Sequence, residues 1–475
     1  MIAYKGFRGI KGAGAALVAS LAAFAGAGAK AADRPPNVLI IMPDQMRGQA
    51  MGVAGDPNVR TPTLDRLARE GLFLPNTFAN TPVCCPARAT ILTGLYTHRH
   101  GVLSNDLRLR ESSRSMAEVL ADAGYATGFI GKWHLDGGRR MPGFIPPGPR
   151  RQGFQFWAAN ECNHNHFDSI YFRDTDAPIP IRRFEPEVWT DEAITFIRAH
   201  RDRPFFLWWT CGPPHDPKGA PPPFEKLYDP ARLVMSPNWI AGVRGAGRND
   251  MAKYYAAITA IDEQVGRMLR LLEELKIAEE TIVVFTADHG DMVGSQGVNH
   301  KCKPWEESIR IPGIIRYPRK IAAGRRSDML FSQVDFMPTL LAMCGVPTPA
   351  HVQGRDLSKA LFDRNGEGPE CVLLQMCDSF GRDGAPAPWR GVRTRRYLYA
   401  RFEDKPWLLY DVEKDPHELR NLADDPAAHE LRAQLDRMLT REMERVGDRW
   451  SVNLRVRRTY YNGPAVYHPD ELPPE

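Results

Sequence analysis

The sequence predicts an α/β fold: a large mixed, mostly parallel sheet sandwiched by helices, with a smaller α+β subdomain at the carboxyl end. Three observations lead there. NVLIIM (37–42), ATGFIG (126–131), FFLWWT (205–210) and TIVVFT (281–286) are continuously apolar rather than alternating, as strands buried on both faces of a parallel sheet must be. Segments with helical periodicity separate them. The 475 residues, 43% hydrophobic and 25% charged, suffice for a large core plus a smaller unit.

In chain order, the first segment reads as an export signal. Lys5, Arg8 and Lys11 precede the small apolar run GAGAALVASLAAFAGAGA, and Ala29-Lys30-Ala31 has the A-x-A form of a cleavage site. Gly and Ala make this run a poor membrane anchor, and no later stretch of about 20 apolar residues could span a bilayer. The expectation is an exported protein, periplasmic or secreted, mature from about Ala32 and without stable membrane insertion. Thr61-Pro62 opens the helical TLDRLARE and Gly71 closes it; Ser115 and Glu118 form a capping box, with Gly124 as a stop. Tyr254, Ile258, Ile261, Val265, Met268, Leu272 and Leu275 recur at four and three, the stripe of a helix packed on a sheet. Near the end, VRTRRYLYARF and WLLYDVE read as antiparallel strands, and AAHELRAQLDRMLTREMERV as a helix. The expected boundaries are 1–31 for the signal, 32–360 for the main α/β domain and 361–475 for the C-terminal subdomain.

Charge excludes one class of partner. Of 62 Lys and Arg against 57 Asp and Glu, four cations and no acids lie in residues 1–31, so the formal charge falls from +5 to +1 without them. That balance gives no case for a nucleic-acid partner. The local basic cluster RGVRTRRYLYAR (390–401) reads as a strand with one wet face. The eight cysteines are scattered and form no C-x-x-C pair, which speaks against structural zinc.

The informative residues lie just past each strand. NVLIIM runs into Asp44 and Gln45, ATGFIG into Lys132 and His134, FFLWWT through CGPP to His215, and TIVVFT into Asp288 and His289. Ligands of open α/β sheets bind beyond the carboxyl ends of the strands, so four strands can deliver these groups to one crevice. Asp44, Gln45 and Asp288 offer oxygen ligands for a hard cation such as calcium or magnesium, and His289 would also tolerate manganese. Arg88, Lys132 and Lys301 supply fixed positive charge, while His134 and His215 supply proton transfer. Such a set describes a site for a tetrahedral oxyanion ester, sulfate or phosphate. His164 and His166, in the polar loop NECNHNHF, are candidates to face substrate, whereas His98 and His100 are expected to bond loop backbone.

In TPVCCPARATILTGLYTHRHG (81–101), Pro86 suits a first helical turn and Gly94 an end, which puts Cys84 just before a helix N-terminus. A thiol there is activated and an anion is favoured. Cys84-Cys85-Pro86-Ala87-Arg88 followed by Leu92-Thr93-Gly94 resembles the sulfatase signature C-x-P-x-R with its L-T-G continuation. The resemblance extends through NVLIIMPDQ, TPTLDRLAREG, GYATGFIGKWHL, PPHDP, FTADHGD, KCKPWEESIRIP and LYDVEKDPHELRNLA. Together these resemble the type I, formylglycine-dependent sulfatases of the alkaline phosphatase superfamily.

The resemblance implies that a maturation enzyme oxidises Cys84 to formylglycine. Asp44, Gln45, Asp288 and His289 would hold a divalent metal, calcium first, together with an oxygen of the modified Cys84. One hydroxyl of the hydrated aldehyde would attack sulfur, and collapse of the resulting ester would expel sulfate. Arg88 and Lys132 would hold diol and sulfate oxygens, His134 would assist elimination, and His215 with Lys301 would serve the leaving group. Cys85 is expected to be a small buried filler. Gln45 departs from the second Asp of many sulfatases. Paired with His289 it resembles the phosphonate monoester hydrolases and choline-sulfatase-like members, which keeps a phosphonate or phosphodiester substrate open. The leading expectation is hydrolysis of a sulfated carbohydrate, with Trp157 and the NECNHNHF loop as its sugar-binding elements. A non-catalytic binder of sulfated glycans is the reading from another class.

Overall fold

The computed structural model describes residues 34–138, 140–379 and 384–450. The expected export segment, 1–31, lies outside the described residues. From Pro35 onward the described residues form one compact unit. Its centre is an eight-stranded sheet in the order Arg325–Arg326, Leu72–Phe73, Ile314–Arg316, Thr281–Phe285, Asn37–Asp44, Phe205–Pro214, Ala126–Lys132, Phe156–Asn160. Only Ile314–Arg316 runs against the rest. The four strands expected from the sequence lie side by side at its middle.

Their unbroken apolar character has a direct cause. Leu39, Ile41, Leu207, Trp209, Val283 and Phe285 enter the core beneath the helices Pro62–Glu70, Glu185–His200 and Arg248–Glu274. Their alternates Val38, Ile40, Phe206, Trp208, Ile282 and Val284 enter the opposite core, beneath Cys84–Thr93, Met116–Asp122 and Gln333–Met343. With both faces covered, apolar side chains fill most of the interior positions of these strands.

The expected caps form. Ser115 and Glu118 close a capping box on Met116–Asp122, and Gly94 ends Cys84–Thr93 at φ +64°. Cys84 is the first residue of its helix rather than the residue before it. The strands Phe156–Asn160 and Cys371–Met376, and the two- and three-residue strands at the sheet edge, were not legible. Two-residue strands carry too little pattern for periodicity to register.

A four-stranded antiparallel sheet, Cys371–Met376, Trp389–Thr394, Tyr397–Arg401 and Pro406–Asp411, forms the C-terminal part. The helix His429–Val446 covers one face through Leu435, Met438 and Leu439. The other face packs on Val83 and Cys302, immediate neighbours of Cys84 and Lys301. The basic cluster 390–401 is corrected in two respects. It is a hairpin of two strands, and Arg390 and Arg393 are buried rather than solvated. Arg390 Nη2 lies 3.0 Å from Asp448 Oδ1 and Arg393 Nε 2.7 Å from Glu306 Oε1, pairings across the fold that a local pattern cannot show.

Among the described residues no helix is long and apolar enough to cross a membrane. All eight cysteines are free and buried.

The helix Pro62–Glu70 starts on a buried carboxylate of the long helix: Asp262 accepts from the backbone N–H groups of Thr63 and Leu64 at 3.0 and 2.8 Å. Burial, only partly offset by these bonds, raises its pKa to about 6. The folded state therefore favours the protonated acid, and this site loses stability as pH rises from about 4 through about 6. Asp262→Ala, which strands both donors, is expected to cost about 1–3 kcal/mol. Asp262→Asn should keep an acceptor, cost less and flatten the pH dependence, as read from unfolding midpoints between pH 4 and 7.

Candidate active site

The four central strands end at one edge of the sheet, and each delivers a polar group there. Asp44 is the last residue of Asn37–Asp44 and Lys132 the last of Ala126–Lys132. His215 follows Phe205–Pro214, and Asp288 and His289 follow Thr281–Phe285. Two glycines let the backbone come close enough. A Cβ on Gly131, whose φ is +106°, would lie 1.9 Å from the Thr210 carbonyl oxygen, and one on Gly290 would lie 1.9 Å from that of Glu307.

Asp44, Cys84, Asp288 and His289 are all buried, and their ligand atoms lie within 4.8 Å of one another. Cys84 Sγ is 3.1 Å from His289 Nε2 and 3.8 Å from Asp44 Oδ1. His289 Nδ1 is 2.9 Å from the Gly290 carbonyl, which can only accept; Nδ1 therefore carries a proton and Nε2 is the nitrogen turned into the cluster. Two carboxylates and one imidazole nitrogen, gathered around the Cys84 sulfur, fit a divalent cation.

Fixed cations surround this group. Arg88 donates from Nε and Nη2 to Asp288 Oδ2 at 3.1 and 2.9 Å, from Nη2 to Asp44 Oδ2 at 3.1 Å, and from Nη1 to the Lys132 carbonyl at 2.6 Å. Lys132 Nζ donates to Asp44 Oδ2 at 2.6 Å. Against burial, Lys132, His215 and Arg88 hold Asp44 well below the usual carboxylate range, while burial and the Asp44 charge raise Asp288. The two adjacent thiols diverge. Burial and Asp44 push the Cys84 thiol up, but Lys301, His289 and Lys132 together carry it well below its ordinary value; burial leaves Cys85 raised.

The remaining sites are equally definite. Lys301 Nζ donates to Gln45 Oε1 and lies 2.9 Å from His215 Nε2, whereas Lys303 turns to the Asn299 carbonyl. His215 Nδ1 is 2.7 Å from the Asp216 carbonyl, so Nε2 is the acceptor facing Lys301. Burial and then Lys301 keep the ring's pKa well below its ordinary value. His134 Nε2 is 3.4 Å from Asp106 Oδ1, and its buried Nδ1 has no hydrogen-bond partner among the described residues. Gln45 lies beside the four-residue cluster: its backbone N–H donates to Asp288 Oδ1 at 2.9 Å, and its amide belongs to a network with Asp216 and Asp291.

His164 is half-buried with its ring centroid 5.0 Å from that of His215. His166 does not reach the cleft: it is buried, with Nε2 3.0 Å from the His215 carbonyl, and braces that loop. Trp157 is also corrected. It is 1% exposed and packs on Phe129 and Trp133, so it offers no platform to a sugar. His100 accepts from the Val102 N–H and His98 Nε2 lies 3.0 Å from the Val446 carbonyl, both in backbone roles. The helix N-terminus offers an anion less than expected: the Cys85 N–H is bonded to Asn105 Oδ1 at 2.9 Å and Pro86 has none, which leaves the anion to side-chain cations. Sequence reasoning missed Asp106, Asp216 and Asp291, although Asp216 and Asp291 stand inside the motifs PPHDP and FTADHGD.

Two acids beside three fixed cations at the strand ends of an α/β sheet define a hydrolase of oxyanion esters. The sulfatase family model matches residues 36–346, and a second, described as the C-terminal part of N-sulphoglucosamine sulphohydrolase, matches 294–445. An ulvan-active sulfatase of Formosa agariphila is 36% identical over 420 residues, covering 87% of this chain and 82% of its own. A human N-acetylgalactosamine-6-sulfatase is 30% identical over 395 residues, covering 72% and 70%. The crystal structure of a putative sulfatase from Bacteroides fragilis superposes with a TM-score of 0.81 at 32% identity, covering 88% of this chain and 98% of its own. The chain belongs to the sulfatase family and is a sulfuric ester hydrolase.

Arg88 is expected to be irreplaceable. Arg88→Ala leaves two buried carboxylates facing each other, a loss of about 3–5 kcal/mol, visible as a lower melting temperature together with lost activity. Arg88→Lys should restore part of the stability and little activity, because an ammonium cannot span both carboxylates and the Lys132 carbonyl at once.

Proposed function

We propose that this sulfatase is exported and hydrolyses a sulfate ester of a carbohydrate, with Cys84 converted to formylglycine and calcium held by Asp44, Gln45, Asp288, His289 and the modified residue. The observation that carries this reading is the buried gathering of Asp44, Cys84, Asp288 and His289 within 4.8 Å, ringed by Arg88, Lys132 and Lys301. The saccharide rests on the names of relatives, among them the N-acetylgalactosamine-6-sulfatase. Export rests on the composition of residues 1–31.

When bound, the cation supplies Lewis-acid polarisation and charge neutralisation at the nucleophile. The chain's own residues do the rest. Arg88, pinned on two carboxylates, cannot swing away, and it fixes the nucleophile's helix against the strand ends. Lys132 and Lys301 offer ammonium groups to the sulfate oxygens, stabilising charge that grows in the transition state. His215 accepts from Lys301, so the proton nearest a departing oxygen resides on Lys301, and His215 orients that ammonium. His134, held by Asp106 with the Cys85 and Cys162 thiols beside its ring, assists sulfate release. His164, its ring tilted against that of His215 at 5.0 Å, is the proposed substrate contact. His166 acts behind it as a brace.

Sulfate release from a panel of sulfated mono- and oligosaccharides tests the substrate class; hydrolysis confined to phosphonate or phosphate esters would sink it. Peptide mass analysis of residues 81–101 from the native host should show Cys84 converted and Cys85 intact. Cys84→Ala is expected to lower kcat by on the order of 10³-fold or more. Chelation should remove activity reversibly, with calcium restoring it better than magnesium or manganese.

A further inference from the structure

Gln45 creates a problem that an aspartate would not. A carboxylate presents an oxygen whichever way it turns, but an amide has an oxygen at one end and an NH2 of similar size at the other. The wrong rotamer would aim two donors at a cation. Only the hydrogen-bond partners of the amide decide between them.

Those partners are unusually one-sided. Gln45 Nε2 donates to Asp291 Oδ2 at 2.8 Å and to Asp216 Oδ2 at 3.2 Å, two acceptors for its two hydrogens. Its Oε1 accepts from Lys301 Nζ, and an amide oxygen keeps a second lone pair. Asp291 is fully buried, and two acids side by side need a counter-charge. Lys218 provides it: its side chain is 1% exposed, with Nζ 2.6 Å from Asp216 Oδ1 and 3.3 Å from Asp291 Oδ2. His300 Nδ1 stands 3.3 Å from Asp216 Oδ2 on the outer side. The main chain of Gln45 is held independently, since Tyr254 donates its hydroxyl to the Gln45 carbonyl at 2.9 Å and Gln45 sits at φ +67°. The side chain is fixed separately, by the acid pair at Nε2 and by Lys301 at Oε1.

We propose that Asp291, supported by Asp216 and Lys218, is a positioning residue that locks the Gln45 amide with its carbonyl oxygen, not its NH2, toward the cation site. This rests on the reading of Gln45 as a ligand. Asp291 touches neither substrate nor cation; it acts through Gln45.

Isosteric variants separate this role from charge and packing. Asp291→Asn and Asp291→Leu lose the same charge and keep the same number of branched heavy atoms, but only Asn retains an acceptor oxygen for Gln45 Nε2. Calorimetric titration of calcium into metal-stripped protein should show affinity reduced about ten- to a hundredfold in Asp291→Leu, the range for residues that orient a metal ligand, and largely kept in Asp291→Asn. In a Gln45→Ala background the Leu substitution should add no further loss. Metal-free melting curves establish folding, and Asp291→Ala replaces the Leu variant if that one does not fold. Equal calcium affinity in the Asn and Leu (or Ala) variants, or a full further loss in the Gln45→Ala background, overturns the proposal and leaves Gln45 as a ligand. Unchanged affinity in Gln45→Ala itself removes the ligand reading and this proposal together.

Discussion

One guanidinium holds the site together. Arg88 leaves the first turns of the helix Cys84–Thr93 and reaches Asp44, Asp288 and the carbonyl of Lys132, which belong to three different strand ends. A planar fork with five donors is the side chain that can serve three acceptors on different strands. The opposed carboxylates would repel in a buried setting without it, and the helix that carries Cys84 would lose its strongest polar anchor to the sheet. The position of Cys84 and the arrangement of the two carboxylates therefore depend on the same few bonds.

The sequence showed the centre and not the rim because the two are built differently. Asp44, Lys132, His215, Asp288 and His289 come directly after long apolar runs, so sheet topology alone makes them converge. Asp106 comes from a loop, and no local pattern reports which loop folds over which strand. Trp157 and His166 misled for a related reason. Both residue types are common at saccharide sites, yet burial is decided by neighbours distant in the chain: Phe129 and Trp133 for Trp157, the His215 carbonyl for His166. Arg390 and Arg393 show the same limit for charge. A run of arginines looks wet until Asp448 and Glu306 arrive from elsewhere to meet two of them.

The C-terminal sheet is part of the site's foundation. Trp389 Nε1 donates to the Cys302 carbonyl at 3.0 Å, and the Cys302 N–H donates to the Pro82 carbonyl at 3.0 Å. Lys301 and Cys84 are thus each one or two residues from a contact that the last quarter of the chain secures. Cys302 at φ +74° and His300 at φ +60° flank Lys301 in a conformation that costs side-chain-bearing residues energy, and packing against this sheet is what maintains it. Specificity and stability are consequently hard to vary independently here.

Every residue from Cys84 to Thr93 is buried, and Cys84 itself is 1% exposed. An enzyme acting on that thiol would find it closed off in the folded protein, since its neighbours on both sides are buried as well. The proposed conversion of Cys84 would therefore be a matter of timing, its window opening when the segment is made and shutting when Arg88 meets Asp44 and Asp288. Asp288 is made some two hundred residues after Cys84, so chain elongation would hold that window open.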